Sequence, residues 1–393
     1  MTAPTLSPAD LTDPELHATG DPHAVWRWMR ENSPVHRHEE TELPAFWSLT
    51  RHADVRAAYR DPATFSSARG VLLRPVRYGD DPGGGQTLAL TDPPRHKQLR
   101  SLVAKWFTER SARGLEEPIR RAVRATLDLA MARGECDFVH DIAGRLSIYV
   151  ICGLMGVPEA DHEKIFNWTN EAYAAHTPLA AQHQLMEYYG ELMYQRMEEP
   201  ADDIVSALAN GVPAGELLTE QEILLNCENL IGATENGRLA IAGGVHALLD
   251  HPDQLARLRA DRGLVNTAVE EILRWVSSAT HSMRSATRDT EIRGQRIAAG
   301  DWVVLWVPSA NRDEEVFADP YRFDVGRTPN RHLALGIGEH FCLGATIART
   351  QMRVLLTELL DHVGGLELAG PVEPVASVAV GGPATLPLRV TAR

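Results

Sequence analysis

Apolar residues recur at helical spacing along most of the chain, and proline, glycine and aspartate punctuate the pattern. Ala45 to Leu49 reads as a short strand, and His52 to Arg60 as a helix closed by Asp61-Pro62. Asp80 to Gly85 is glycine-rich and reads as a mobile loop. Arg95 to Phe107 is a helix entered through Thr91-Asp92-Pro93-Pro94. From Glu116 to Gly211 nearly everything is helical, with breaks at Gly134, Pro158 and Pro200. Thr219 and Glu222 spell a capping box. The helix they open runs to about Asp250, where His251-Pro252 stops it. A helix of about thirty residues spans about 45 Å. Being apolar on most sides, it should pass through the middle of the protein. Helices Pro252–Ala260 and Leu264–Val276 follow, then strands at Thr290–Arg293, Gln295–Ala298 and Asp301–Val307. Pro308 to Phe341 shows no clear periodicity, and loops that long in a compact domain usually serve function. Cys342 opens a last helix to about His362, and short strands close the chain. The expected class is mainly α with a small β part, in one domain spanning 1–393.

Composition narrows the function. Of 393 residues, 44% are hydrophobic, enough for a sizeable core. A net charge of −14 argues against nucleic acid as a partner. Leu146 to Val157 is the longest apolar stretch and falls well short of the ~20 residues of a membrane span. Met1 to Pro22 is polar and broken by proline, unlike a secretory peptide. Cys136, Cys152, Cys227 and Cys342 are scattered and suggest no disulfide. The expected location is the cytoplasm, away from any membrane.

The candidate chemistry lies in Leu335-Gly336-Ile337-Gly338-Glu339-His340-Phe341-Cys342-Leu343-Gly344. Two glycines make a tight turn, and a cysteine follows at the expected start of a helix, where amide N–H groups and the helix dipole stabilise a thiolate. Gly344 lets something flat approach closely. Haem iron takes a cysteine thiolate in oxygen-activating enzymes. By itself, the same run of letters also suits a buried structural cysteine. Zinc fits less well, because it needs about four ligands.

This stretch resembles the haem-binding loop of the cytochrome P-450 family, the haem-thiolate monooxygenases, whose bacterial pattern is Phe-Gly-x-Gly-x-His-x-Cys-x-Gly. It matches at Gly336, Gly338, His340, Cys342 and Gly344 and departs at Leu335, where the family usually has Phe. Other matches follow in the family's order. Glu271-Ile272-Leu273-Arg274 is similar to the Glu-x-x-Arg pair that, with a third arginine, braces the haem loop; here Arg322 and Arg327 both qualify. By resemblance, His96 and Arg100 on one helix, with Arg284 and His340, bind the haem propionates. Leu230 to Gly237 aligns with the oxygen-binding segment of the family's central helix, where Glu235 matches the acid and Asn236 stands in place of the usual Thr.

The resemblance implies a triangular, mostly helical prism, with haem b between the central helix and the Cys342 helix. It implies reductive activation of dioxygen, with electrons from NAD(P)H through a ferredoxin and its reductase, and oxidation of a small organic substrate. Hydroxylation is the commonest outcome. Coupling, epoxidation, desaturation, peroxide-driven oxidation and a non-catalytic recruiting role are the alternatives. Arg95, Lys97, Lys105 and Arg110 form a basic stretch suited to the electron donor, and Arg69, Arg74 and Arg77 could meet an anionic substrate group.

Overall fold

The computed structural model describes residue 7 and residues 11–73, 75–173 and 179–393. Two compact units emerge. One comprises Met1–Gly84, Leu239–Cys342 and Gly370–Leu386; the other comprises Gly85–Arg238, Leu343–Ala369 and Pro387–Arg393.

The helices that matter below, in chain order, are α1 (His52–Arg60), α2 (Arg95–Val103), α3 (Glu109–Arg133), α4 (Arg145–Met155), α5 (His162–Tyr173), α6 (Leu179–Glu198), α7 (Glu220–Gly232), α8 (Thr234–Asp250), α9 (Val265–Val276) and α10 (Ala345–His362). The first unit is built on a five-stranded sheet of β1 (Val35–His38), β2 (Phe46–Leu49), β3 (Phe65–Ser66), β4 (His281–Ala286) and β5 (Trp302–Trp306). Its spatial order is β1-β2-β5-β4-β3. β2 and β5 run parallel, pairing Trp47 with Val303, while β4 is antiparallel to β5, pairing Arg284 with Val303. Val303, Val304, Leu305 and Trp306 are all fully buried, as expected for a strand covered on both faces. The second unit is mostly helical. Its core draws on α2, α4, α5, α6 and α7 through residues such as Leu99, Ile148, Phe166, Tyr189 and Ile223.

Several sequence expectations meet physical corrections. The helix expected over Arg95 to Phe107 is α-helical only to Val103 and continues as a 3-10 turn over Ala104–Phe107. α3 starts at Glu109, ahead of the expected Glu116, because Thr108 caps it by accepting from the Ser111 N–H. It ends at Gly134, whose φ of 81° only glycine adopts easily. Part of the segment expected to be helical, residues 174–178, lies outside the described residues. β4 had no sequence expectation. The long central helix is two helices, interrupted at Ala233. There the Thr234 hydroxyl donates to the Ile231 carbonyl at 2.6 Å, a local bond of the kind that bends helices.

The segment expected to be a loop, Pro308 to Phe341, is ordered by one buried carboxylate. Glu271 and Arg274 are both 0% exposed on α9 and pair through two bonds of 2.8 Å. Arg327 is the third member, with its Nε 3.1 Å from Glu271. Arg322 contributes only its backbone carbonyl, to Arg274 and to Arg327. Asn330 Nδ2 and the Asp324 N–H also donate to Glu271, at 3.1 and 2.9 Å. Arg274 spends its remaining N–H groups on the carbonyls of Asn311 and Pro320. Asn311 in turn receives the Leu333 N–H at 2.7 Å, at the entrance of the cysteine loop.

The Glu271→Ala variant strands two guanidinium groups, and loss of one side of a buried pair costs about 3–5 kcal/mol. Arg327→Ala should cost about 1.5–3 kcal/mol, the range for a hydrogen bond to a charged group. Arg322→Ala should leave stability within about 0.5 kcal/mol of the parent, as for an ordinary surface change. Denaturant unfolding of the three variants checks the order; equal losses in Arg322→Ala and Arg327→Ala would contradict it.

Candidate functional site

In the first unit the cysteine loop is set by backbone geometry. Gly336 and Gly338 sit at φ of 65° and 83°. A Cβ on Gly338 would lie 2.8 Å from the Tyr59 carbonyl at the end of α1, so no larger residue fits without movement. The Gly336 N–H bonds to Leu333 O, the Phe341 N–H to Gly338 O, and the Cys342 N–H to Leu335 O at 2.9 Å. That last bond closes the turn on the cysteine. Cys342 does not open the helix as expected: α10 begins at Ala345, with Gly344 as its N-cap. The loop's own bonds therefore hold Cys342, and the first helical turn starts beyond it.

Cys342 is the one cysteine of the four that is half-buried. Burial pushes the thiols of Cys136 and Cys227 up to about 12, and that of Cys152 higher still, which makes them poor thiolates. His340 lies on the same loop, with its Nε2 3.4 Å from Ser67 Oγ. Arg284, 4% exposed on β4, donates to Met283 O and Ser282 Oγ at 2.7 and 3.0 Å. Its guanidinium lies 5.4 Å from the centre of the Tyr59 ring, so Tyr59 meets both Arg284 and the Gly338 turn. Burial raises the Tyr59 phenol above its usual range, and the nearby Arg284 partly opposes this. Gly336, Arg284, His340 and Cys342 are thus gathered in this unit.

His281, three residues earlier on β4, was not expected to matter. Its Nε2 receives the Leu73 N–H at 2.9 Å and its Nδ1 faces the Val378 carbonyl at 2.9 Å. Burial lowers its pKa to about 4, so the ring is neutral and ties two loops to the sheet. Arg69 pairs with Asp80 and donates to the Gly300 carbonyl. Arg74 and the Arg77 side chain lie outside the described residues.

In the second unit, α2 carries His96, 1% exposed, and Arg100 one turn later. Gly344 has open space where a Cβ would be, with nothing within 4 Å. Glu235 and Asn236 occupy the first turn of α8. Arg238 pairs with Glu235 and donates to Asn170 Oδ1 on α5 at 3.2 Å. Asn236 Oδ1 is buried and accepts no hydrogen bond from the described residues. Asn226 on α7 was missed by sequence reasoning. Its carboxamide receives the Leu88 N–H and donates to Gln86 O, fastening the 86–88 segment to the helix. A lone Asn in an apolar helical pattern was its only signal. The basic stretch is thinner than the letters suggest, because Arg95 pairs with Glu222 and Lys105 with Asp202, both at 2.6 Å.

The cytochrome P450 family model matches residues 165–363. Cytochrome P450 NovI of Streptomyces niveus is 37% identical, with 99% of each chain covered. The crystal structure of P450 OxyD, involved in the biosynthesis of vancomycin-type antibiotics, has a TM-score of 0.91 at 34% identity and covers 98% of this chain and 100% of its own. HmtN, a post-tailoring hydroxylase involved in himastatin biosynthesis, has a TM-score of 0.86 at 31% identity, covering 97% and 100%. No helix among the described residues is long and apolar enough to cross a membrane. The chain belongs to the cytochrome P450 family, the haem-dependent monooxygenases.

Proposed function

We propose that this P450 hydroxylates a small organic molecule in bacterial secondary metabolism, in the cytoplasm, with electrons from a ferredoxin and its reductase. The observation that carries the reading is the Cys342 loop, where positive-φ glycines and the Leu335 carbonyl fix a half-buried thiol. OxyD and HmtN support the metabolic setting, and HmtN supports hydroxylation. The whole chain acts as one catalytic domain.

The residues suit haem b. Cys342 gives a soft thiolate ligand. Gly344 leaves room for a flat ring, and Gly336 shapes the turn before the cysteine. Arg284, His340, His96 and Arg100 supply cations and ring N–H groups for two propionates. When bound, haem supplies the reductive activation of dioxygen that lets a substrate C–H bond be oxidised. Glu235 takes up and releases protons. Asn236 offers an N–H donor and an unused acceptor, with which it can hold a water beside Glu235. A carboxamide cannot ionise as an acid in this range, so it positions the proton carrier.

In the reduced state with CO, the wild type should show the strongly red-shifted Soret band of thiolate-ligated haem, and Cys342→Ser should lose it. A wild type without that band would refute the assignment.

Asn236→Ala should keep substrate affinity within about twofold while product formed per NADPH falls by roughly tenfold, less than the loss of a proton-transfer group itself because the carboxamide only positions the carrier. Asn236→Thr should recover most of the coupling. Unchanged coupling in Asn236→Ala, with weaker substrate binding, would make Asn236 a substrate contact instead.

Lys97 and Arg110 are exposed cations of the basic stretch. Reduction by ferredoxin should slow by on the order of tenfold as salt rises, since charge steering of association is screened. Charge reversal at both positions should mimic high salt. Stopped-flow reduction rates that ignore salt and both substitutions would rule out docking there.

A further inference from the structure

A cleft of about 400 Å³ lies in the first unit, within the size range of small-ligand sites. None of the residues given a role with haem, oxygen or substrate lines it. The start of the Pro22–Asn32 helix contributes Asp21, His23, Ala24 and Arg27. Trp275 at the end of α9, with Arg312 and Tyr321 from the segment after β5, completes the lining.

Arg312 is the unusual member of the lining. It is 3% exposed, yet it makes no ion pair among the described residues. Two of its five N–H groups donate to the carbonyls of Arg274 and Trp275, and its Nε is buried without a partner among the described residues. Burial, and after it the like charge of Arg274, lowers the guanidinium to about 9. This is a cation short of counter-charge. His23 Nδ1 is also buried and unmet. Burial and the charges of Arg312, Arg30 and Arg274 hold His23 well below its usual range, so the neutral ring offers one donor and one acceptor. Arg27 is half exposed, with its guanidinium 4.0 Å from the centre of the Tyr321 ring. The acid it meets, Glu314 at 3.9 Å, is held more closely by Arg30 at 2.9 Å.

We propose that this cleft is a second small-molecule site, built for an aromatic monocarboxylate. The carboxylate turns toward Arg312 and Arg27 and supplies the counter-charge that the chain withholds. Trp275 and Tyr321 give aromatic walls for the flat ring. His23 adds a neutral hydrogen bond. Asp21 limits the charge of the ligand. It lines the same cleft, where it caps the helix by accepting from the Ala24 N–H at 3.1 Å, and it repels a dianion such as phosphate. Arg312 holds the last carbonyls of α9, the helix that carries Glu271 and Arg274, so a ligand on Arg312 stabilises the brace as it binds. The site does not rest on the oxidation chemistry assigned to Cys342.

Benzoate is the probe, titrated into the ferric holoenzyme by calorimetry while the Soret band is followed. The wild type should bind benzoate saturably with no Soret shift, and its Tm should rise as benzoate is added. Benzamide and inorganic phosphate should each bind roughly tenfold more weakly, since neither combines one negative charge with a flat ring. Arg27→Glu should weaken benzoate binding by roughly tenfold, as for a reversed charge contact. Ala24→Phe fills the cleft without removing a side-chain bond and should abolish both the calorimetric signal and the rise in Tm. Neither residue is fully buried, so both variants should keep the circular dichroism and Soret band of the wild type. Equal affinity for benzamide or for phosphate overturns the ligand class. Benzoate binding that shifts the Soret band and survives both substitutions places the probe in the substrate pocket and overturns the site. Absence of saturable binding to the wild type overturns it too, and leaves water as the occupant of the cleft.

Discussion

A single buried carboxylate organises the first unit. Glu271 has no access to solvent, and an ionised group so placed is tolerated only when its oxygens are fully engaged. Arg274, Arg327, Asn330 and the Asp324 N–H provide that engagement. Because Arg327, Asn330 and Asp324 come from the segment after β5, satisfying the charge also folds that segment. Arg274 extends the order by holding the carbonyls of Asn311 and Pro320. Arg312 adds to it from the same stretch, donating to the carbonyls of Arg274 and Trp275 at the end of α9. Burial beside Arg274 lowers the Arg312 guanidinium to about 9, so the cluster bears a cost that its hydrogen bonds must offset. The Asn311 carboxamide then passes this order on to Leu333, and Leu333 O fixes Gly336. The thiol of Cys342 is held at the end of this chain of bonds.

Much of this was readable in the letters, for identifiable reasons. The end of α1 at Asp61 and the capping box of α7 rest on contacts within a few residues, and local chemistry decides them. The cysteine loop was readable because its two glycines are required by backbone geometry that spacing alone conveys. The choice between Arg322 and Arg327 was not readable, since both stand in one turn-rich stretch and only the path of the chain decides which side chain turns inward. β4 was missed because His281, Arg284 and two serines break the apolar alternation; its polar side chains are buried by tying loops and by Tyr59. The interruption at Ala233 was also hidden. It depends on a threonine hydroxyl competing for a carbonyl, while the apolar pattern runs on without a break.

The two polar centres of the chain are built on opposite rules, and the contrast separates structure from chemistry. Around Glu271 both carboxylate oxygens and every N–H of Arg274 have a protein partner, while Asn330 Oδ1 and Arg312 Nε at the edge of the cluster are buried without one among the described residues. Such closure suits a brace. On α4, α5 and the start of α8, four buried polar atoms, Ser147 Oγ, Asn170 Nδ2, Asn236 Oδ1 and Arg238 Nε, have no partner among the described residues. Leaving a buried acceptor or donor unmet costs about 1–3 kcal/mol for each group. Ordered water is the usual partner of buried polar groups that protein atoms leave unmet.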